Sequence, residues 1–255
     1  MSWIDDQGPE PIPEELIDRI MYLGSPPAVA PDGTYLPVEV DGPQAHLAVQ
    51  GVGSEIPTHF HEIEQFQYFV HGSGTVGSHV VDPGIVHYAD RYTPYGPLRP
   101  GSAGMTYATM RPRHDTGAFV MPDARAHLAE LLDRSSRPAG DRRQHTIDLR
   151  APTREAGEPA QPGWSDLLHE QDGLRVAVTA LAGGGRADSV TIAGAGAYAL
   201  VVEGEVDDEG TLHTAGALKW YDAGVALEAA ASPAGARLAL LQFPVPATTG
   251  GAISN

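Results

Sequence analysis

The chain has no cysteine, and lysine occurs only once, at Lys219. The absence of cysteine excludes disulfides, thiolate metal ligands and a cysteine nucleophile, so a transition metal would need imidazole, carboxylate, amide or phenol ligands. Acidic residues number 33 against 16 basic ones, which gives a formal net charge of -17. A chain this acidic repels nucleic acid and anionic membranes, and we expect neither as a partner.

Long apolar runs are also missing. No stretch reaches the roughly 18 apolar residues of a membrane-spanning helix. The opening Met-Ser-Trp-Ile-Asp-Asp has neither the basic start nor the apolar segment of a secretory signal. We therefore expect a cytoplasmic protein.

Glycine and proline are frequent, with 30 and 22 residues. They favour many turns between short strands rather than long helices. Alternating apolar residues between such turns predict two groups of strands. The first group is 47–49, 66–70, 75–81, 85–88 and 105–111, and the second is 174–178, 197–202, 217–221 and 237–243.

Helical patterns occur at two places. Residues 13–24 start with Pro13 and two acids, place Leu16, Ile20 and Leu23 on one face, and end at a glycine, which predicts a short N-terminal helix. The leucines of 123–134 form a second apolar stripe. Polar, Gly- and Pro-containing segments at 135–143 and 151–163 are typical of linkers.

The two strand-rich regions match each other when the first is shifted by 132 positions. Four turn residues then coincide, and the apolar strand 66–70 falls on 198–202. Coincidence at four turns together with matching strand phase predicts an internal duplication. The coincident pairs are Gly72 with Gly204, Gly84 with Gly216, Asp90 with Asp222, and Pro112 with Pro244.

Histidines cluster in the first copy around a Gly53-x5-His59-x-His61-x3-Gln65-x6-Gly72 pattern. Residues i and i+2 of a strand point to the same side, so His59 and His61 are predicted to present two imidazoles to one point. Two such imidazoles and further donors suit a transition metal with open positions for substrate.

This pattern resembles the first motif of the cupin superfamily, G-x5-H-x-H-x3,4-E-x6-G, with Gln65 in the place of the glutamate. The resemblance implies an all-β protein of two cupin-type jelly-roll β-barrels in tandem, with a short N-terminal helix and a helix plus linker between the barrels. The implied domains are an extension at 1–27, barrels at 28–122 and 145–246, a helix and linker at 123–144, and a tail at 247–255. Because cupins commonly associate, a homodimer is expected.

The second cupin motif fits in two registers. One makes His87 the third histidine ligand; the other starts at Gly84 and puts Tyr95 there. The duplication favours the second register, because Gly216 and Gly224 of the second copy repeat its glycine spacing. The resemblance thus implies a divalent Fe, Mn, Ni or Zn ion on His59 and His61, with Gln65 as a weaker ligand. His87 or His79 remains an alternative third imidazole.

The second copy carries no such set. The shift of 132 places Thr191 and Ala193 at the two histidines, Ala197 at the glutamine and Leu227 at Tyr95. None of these replaces an imidazole as a metal ligand. We expect the second barrel to be free of metal.

Aromatic residues are concentrated in 88–97, near the mouth of the implied first barrel. Tyr92 could line a pocket there, and Arg91 could bind a carboxylate; the alternative is that the tyrosines only pack a tight loop. Tyr68 is a further candidate for contact with substrate. Tyr95 and His87 are the candidate acid–base residues.

Three functions remain open. The first is a metal-dependent cupin enzyme, such as a dioxygenase, isomerase or lyase, acting on a small polar or aromatic molecule. The second is a metal-free epimerase or isomerase, in which His61 or His59 takes a proton and Tyr95 returns one. The third is a non-catalytic binding or regulatory protein similar to the pirins. Fold resemblance alone does not choose between them.

Overall fold

The structure is a computed structural model that describes residues 3, 17–25, 42–135, 143–151 and 163–246. It consists mostly of strands with one short helix, which confirms the predicted fold class. The described residues form two compact units. The first contains 17–25, 42–135, 143–146 and Pro246, and the second contains Trp3, 147–151 and 163–245.

The first unit is a barrel built on one large antiparallel sheet in the order β1-β2-β7-β4-β6-β9, with β5 paired to β4 and a separate pair β3–β8. Its elements are β1 (Ile17–Leu23), β2 (Gln44–Gln50), β3 (His59–Phe60), β4 (Gln65–Val76), β5 (His79–Val81), β6 (Ile85–Ala89), β7 (Leu98–Arg111), β8 (Phe119–Val120), α1 (Arg125–Arg134) and the start of β9 (Gln144–Asp148), whose last two residues belong to the second unit.

The second unit repeats this plan in the order β10-β11-β17-β13-β14, with β15 on β13 and a pair β12–β16. Its interior is an apolar cluster of mostly alanine, valine and leucine. The strands are β10 (Ser165–His169), β11 (Arg175–Leu181), β12 (Val190–Thr191), β13 (Ala197–Asp208), β14 (Thr211–Thr214), β15 (Leu218–Tyr221), β16 (Ala226–Leu227) and β17 (Ala230–Gln242).

The prediction of an N-terminal helix over 13–24 is wrong where the structure describes it. Residues Ile17–Leu23 form β1, which pairs antiparallel with β2 from Ile17 opposite Gln50. Pairing satisfies the backbone groups of an otherwise open edge, and this tertiary gain exceeds the weak helix propensity of the segment. The start of the predicted helix, 13–16, lies outside the described residues.

The strand predicted over 75–81 is instead a tight hairpin. β4 ends at Val76 and β5 begins at His79. Gly77 lies in the turn with a φ of 59°, in the left-handed region that favours glycine. The helix predicted within 123–134 is confirmed as α1.

The duplication is confirmed by irregularities that recur in both units. β4 and β13 each break register twice against their long partner strand, at equivalent places. A Cβ on Gly72 would overlap the carbonyl oxygen of Gly104, and one on Gly204 would overlap that of Gly235. Both glycines also have positive φ, so the same close strand contact requires glycine in each copy.

The offset between the copies is 132 only in part of the chain. Arg111 pairs with Gln44 on the neighbouring strand, as Gln242 pairs with Arg175, so β17 is offset by 131. The match of Pro112 with Pro244 is therefore wrong by one residue. A one-residue slip cannot be seen in a strand with few turn residues.

Candidate active site in the first barrel

The two histidines of the motif lie on and just after β3, inside the first barrel. His59 and His61 are both buried, and their ring centroids are 5.1 Å apart. Gln65 starts β4, and the loop after β6 brings in Tyr95. The structure therefore gathers the histidine pair, the glutamine and the tyrosine of the favoured register in one cluster.

Backbone pairing places Tyr95 next to His59. The amide of each donates to the carbonyl of the other, at 3.1 and 2.9 Å. In the side chains, His59 Nδ1 is 2.7 Å from the carbonyl oxygen of Pro57, so Nδ1 carries the proton. Nε2 then accepts from the hydroxyl of Tyr95 at 2.8 Å.

Gln65 links this tyrosine to an arginine. Its Nε2 donates to the hydroxyl oxygen of Tyr95, and its Oε1 accepts from Nε of Arg111 at 3.0 Å. Arg111 Nη1 donates in turn to Gln44 Oε1 at 2.7 Å. Because guanidinium can only donate, the glutamine must turn its oxygen toward Arg111 and its nitrogen toward the tyrosine.

His61 is paired with a carboxylate. Its Nδ1 donates to Oδ2 of the buried Asp115 at 2.7 Å, and Arg111 Nη2 lies 3.5 Å from the same oxygen. Arg111 Nη2 is also 3.4 and 3.5 Å from the two ring nitrogens of His61. These nearly equal distances place the guanidinium over the face of the ring. The contact with Nε2 is long, at 3.5 Å, so a reacting group that binds the Nε2 lone pair would compete with Arg111.

Burial sets the charges of the cluster. It lowers the pKa of His59 to about 3, helped by the neighbouring His61, and it lowers the pKa of His61 against the opposing effect of Asp115. Burial alone would raise the pKa of Asp115, but Arg111 and His61 outweigh it and lower the pKa to about 2. Burial raises the pKa of Tyr95 above its usual value. At neutral pH the cluster therefore has neutral imidazoles, an ionised carboxylate and a protonated phenol.

His87 lies on β6 beside this cluster. Its ring centroid is 5.2 Å from that of Tyr95, and its Nδ1 is 3.1 Å from Oε1 of Gln67. Burial lowers the pKa of His87 to about 4, although the nearby side chain of Gln144 partly offsets this. Among the described residues, Nε2 of His87 has no partner at hydrogen-bond distance.

Two of the sequence candidates lie away from the cluster. His79 is exposed at the start of β5, so it is not available as a third imidazole. Tyr68 follows Gln67 on β4 and therefore points to the opposite face of the sheet, with Phe66. The period of two along β4 decides this: Gln65 and Gln67 face the cluster, and Phe66 and Tyr68 do not.

The two candidates of the loop lie at its edge. The backbone amide of Tyr92 donates to the carbonyl of His61 at 2.8 Å, so this residue supports the site through its main chain. Arg91 lies over the Tyr92 ring, with the guanidinium carbon 5.4 Å from the centroid. Both side chains are half-buried. The two side chains pack on each other, which matches the alternative that the aromatic residues of 88–97 only pack a tight loop.

Sequence reasoning missed Arg111 and Asp115. Arg111 ends β7, a strand whose last eight residues are all buried, and an arginine in such a strand is uncommon enough to suggest a buried ion pair. Asp115 follows four positions later in a loop. Nothing in the sequence relates that loop to His61, which is 54 residues away.

The corresponding interior of the second barrel is apolar. Val190 pairs with Leu227 as His59 pairs with Tyr95, so Val190 and the buried Ile192 take the places of the two histidines. The earlier alignment with Thr191 and Ala193 is off by one residue, and both of these are exposed. Neither Val190 nor Ile192 has a side-chain atom that binds a metal ion.

The cluster does not fit a divalent metal ion. Among the described residues, no group of three His, Cys, Asp or Glu is placed to hold one. The side-chain oxygen of Gln65 already accepts a hydrogen bond from Arg111, and Tyr95 keeps its proton. The permanently charged guanidinium of Arg111 also lies against the ring of His61. A metal would have to displace these contacts and remain beside a buried cation.

No protein-family model matches the chain, and no curated protein matches it either. Solved structures do. The bacterial pirin YhhW from Escherichia coli, in complex with nickel(II), is 14% identical, with 96% of this chain and 99% of that chain covered at a TM-score of 0.53.

Two further structures are similar. A cupin 2 conserved barrel domain protein from Leptotrichia buccalis is 12% identical, with 91% and 90% covered and a TM-score of 0.50. Oxalate decarboxylase from Bacillus subtilis is 12% identical, with 80% and 69% covered and a TM-score of 0.51. The protein therefore has the two-domain cupin fold, as the motif resemblance implied. At these identities the likeness shows the fold alone.

Within the described ranges, no helix is both long and apolar enough to cross a bilayer.

Proposed function

We propose that the first barrel catalyses proton transfer on a small carbonyl compound without a metal, as an isomerase, epimerase or lyase. His61 acts as the base and Tyr95 as the acid. The observation that carries the proposal is the buried His61–Asp115 pair beside a protonated Tyr95. The two rings are 6.2 Å apart between centroids, so Nε2 of His61 and the hydroxyl of Tyr95 are close enough to act on neighbouring atoms of one small molecule.

His61 has the properties of a general base. Asp115 accepts the proton of Nδ1 and so fixes the tautomer with the lone pair on Nε2, the arrangement by which a carboxylate orients a catalytic histidine. Burial lowers the pKa of His61, so the ring is neutral and able to take a proton at neutral pH. Asp115 then stabilises the imidazolium that forms.

Tyr95 has the properties of the matching acid. Its raised pKa keeps the phenol protonated, and Gln65 donates to its oxygen, which stabilises the phenolate after the proton has left. In the reaction the C–H bond next to the carbonyl breaks, His61 takes the proton, and the electron pair moves to the carbonyl oxygen. Tyr95 gives its proton to the resulting enolate. His61 then loses its proton to solvent and the phenolate of Tyr95 takes one up from solvent, which restores both groups.

Exchange of carbon-bound hydrogen with solvent tests the proposal. A panel of small ketones, hydroxyketones and aldoses is incubated with the protein in D2O, and loss of the proton next to the carbonyl is followed by NMR. We expect exchange in at least one compound, lost in His61→Gln and in Tyr95→Phe but kept in the exposed control His79→Gln. Exchange that persists in His61→Gln would refute His61 as the base, and no exchange with any compound would favour the non-catalytic, pirin-like function.

One observation supports a metal-dependent alternative. His59 and His61 each donate Nδ1–H to an oxygen acceptor, as metal-binding imidazoles do. Metal analysis of protein loaded with Fe, Mn, Ni or Zn distinguishes the two. Stoichiometric metal that is lost in His61→Ala, together with exchange that requires the metal, would replace the acid–base proposal by a metal-dependent one.

A further inference from the structure

His87 is a buried hydrogen-bond acceptor that the proton-transfer proposal does not use. Its exposed fraction is 1%. Gln67 lies directly opposite it on β4, and the glutamine oxygen takes the Nδ1 proton. The ring is neutral because burial lowers its pKa to about 4. Nε2 is then a lone-pair acceptor, and among the described residues no partner lies at hydrogen-bond distance from it, while the nearby side chain of Gln144 favours the protonated ring.

A buried acceptor without a donor is costly, and native proteins rarely keep one without a reason. The His87 ring lies beside Tyr95, 5.2 Å between centroids, so a small molecule bound at Tyr95 is within reach of it. The side chain of Gln144, which also interacts with His87, is exposed and donates to the carbonyl of Pro94 at 2.9 Å.

We infer that His87 anchors the substrate by accepting a hydrogen bond from a hydroxyl or amino group that lies close to the reacting carbon. The inference rests on the proposed function and specifies its substrate as a neutral or cationic donor-bearing molecule. A carboxylate does not fit, because it brings a second acceptor and a negative charge to a lone pair. Arg91, the cation that could have bound a carboxylate, packs on Tyr92 instead.

The apolar surroundings add to this description. Besides its polar neighbours, Tyr95 belongs to a buried apolar cluster that includes Phe69, Ala89 and Tyr107. A ligand with an apolar or aromatic body and one donor group matches both features. At the equivalent place in the second barrel stands Lys219, which donates to Asp208 at 2.9 Å.

Phenol and anisole form a matched pair of probes, since they share the aromatic body and differ in the O–H donor. Binding is followed by ligand-detected NMR, and the ring nitrogens of His87 are followed by 15N spectroscopy. We expect a lone pair on Nε2 in the free protein, a shift of this nitrogen with phenol, and at least tenfold weaker binding of anisole. In His87→Leu the preference for phenol should disappear, and in His87→Gln, which keeps an acceptor oxygen, it should be partly restored.

Equal binding of the two probes, or a proton on Nε2 in the free protein, would overturn the inference. The control His79→Gln should leave both affinities unchanged. The same titrations are run in His61→Gln, which removes the proposed base but not the acceptor. Phenol selectivity kept in that variant, with no exchange activity in the wild type, would refute the proposed function and leave the subsite standing. Exchange without selectivity would refute the subsite alone.

Discussion

Two buried neutral histidines should make the protein unstable in mild acid. The pKa of His59 is lowered to about 3 and that of His87 to about 4, while a histidine in the unfolded chain titrates near 6.5. Below pH 6.5 the unfolded state therefore binds more protons than the folded state, and stability falls as the pH is lowered toward the folded values. Between pH 7 and pH 5 the loss is about 2 kcal/mol for each histidine, or about 4 kcal/mol together.

This loss is large compared with the roughly 5–15 kcal/mol by which domains are stable. Urea unfolding at several pH values measures it, with the variant His87→Gln as the perturbation. Removing this titrating group should reduce the difference in unfolding free energy between pH 7 and pH 5 by about 2 kcal/mol. The exposed His79→Gln should leave the difference unchanged. If His87→Gln and wild type show the same pH dependence, His87 is not held neutral by burial and the reasoning is wrong.

Three further predictions follow from single contacts. Asp115→Asn should lower the exchange activity by about 10³–10⁴-fold, because the amide no longer fixes the tautomer of His61, while circular dichroism stays native. Gly204→Ala should lower the melting temperature more than Gly210→Ala: both have positive φ, but only the first would meet a backbone carbonyl, so equal shifts would contradict the close strand contact. Trp3→Ala should destabilise the second barrel by about 3–5 kcal/mol in urea titration, because the indole is buried in its apolar cluster, and a loss below about 1 kcal/mol would show that Trp3 is not part of that core.

Local patterns were sufficient for much of the fold. Alternating apolar residues between glycine and proline turns identified most long strands, and the recurrence of turn residues identified the duplication. The errors have one cause, namely that strand pairing is a long-range property. β1 was taken for a helix because its pairing with β2 is invisible in its own sequence. The offset of β17 slipped by one residue because a strand with few turn residues does not mark its register.

The sequence by itself determined that His59, His61 and Gln65 form one group, since the spacing of a known motif fixes their positions along the chain. It also favoured Tyr95 over His87 as their neighbour, through the glycine spacing of the second copy. The tertiary structure alone brought in Arg111 and Asp115.

These two residues change the chemistry of the group. Arg111 orients the amide of Gln65 and holds its own permanent positive charge against the ring of His61. Asp115 fixes the tautomer of that ring. Both act through burial and distances of a few ångströms between residues far apart in the chain, which residue spacing does not encode. A motif typical of a metal site thus lies, in the folded barrel, within a buried hydrogen-bonded network of neutral imidazoles, an amide, a phenol and an ion pair.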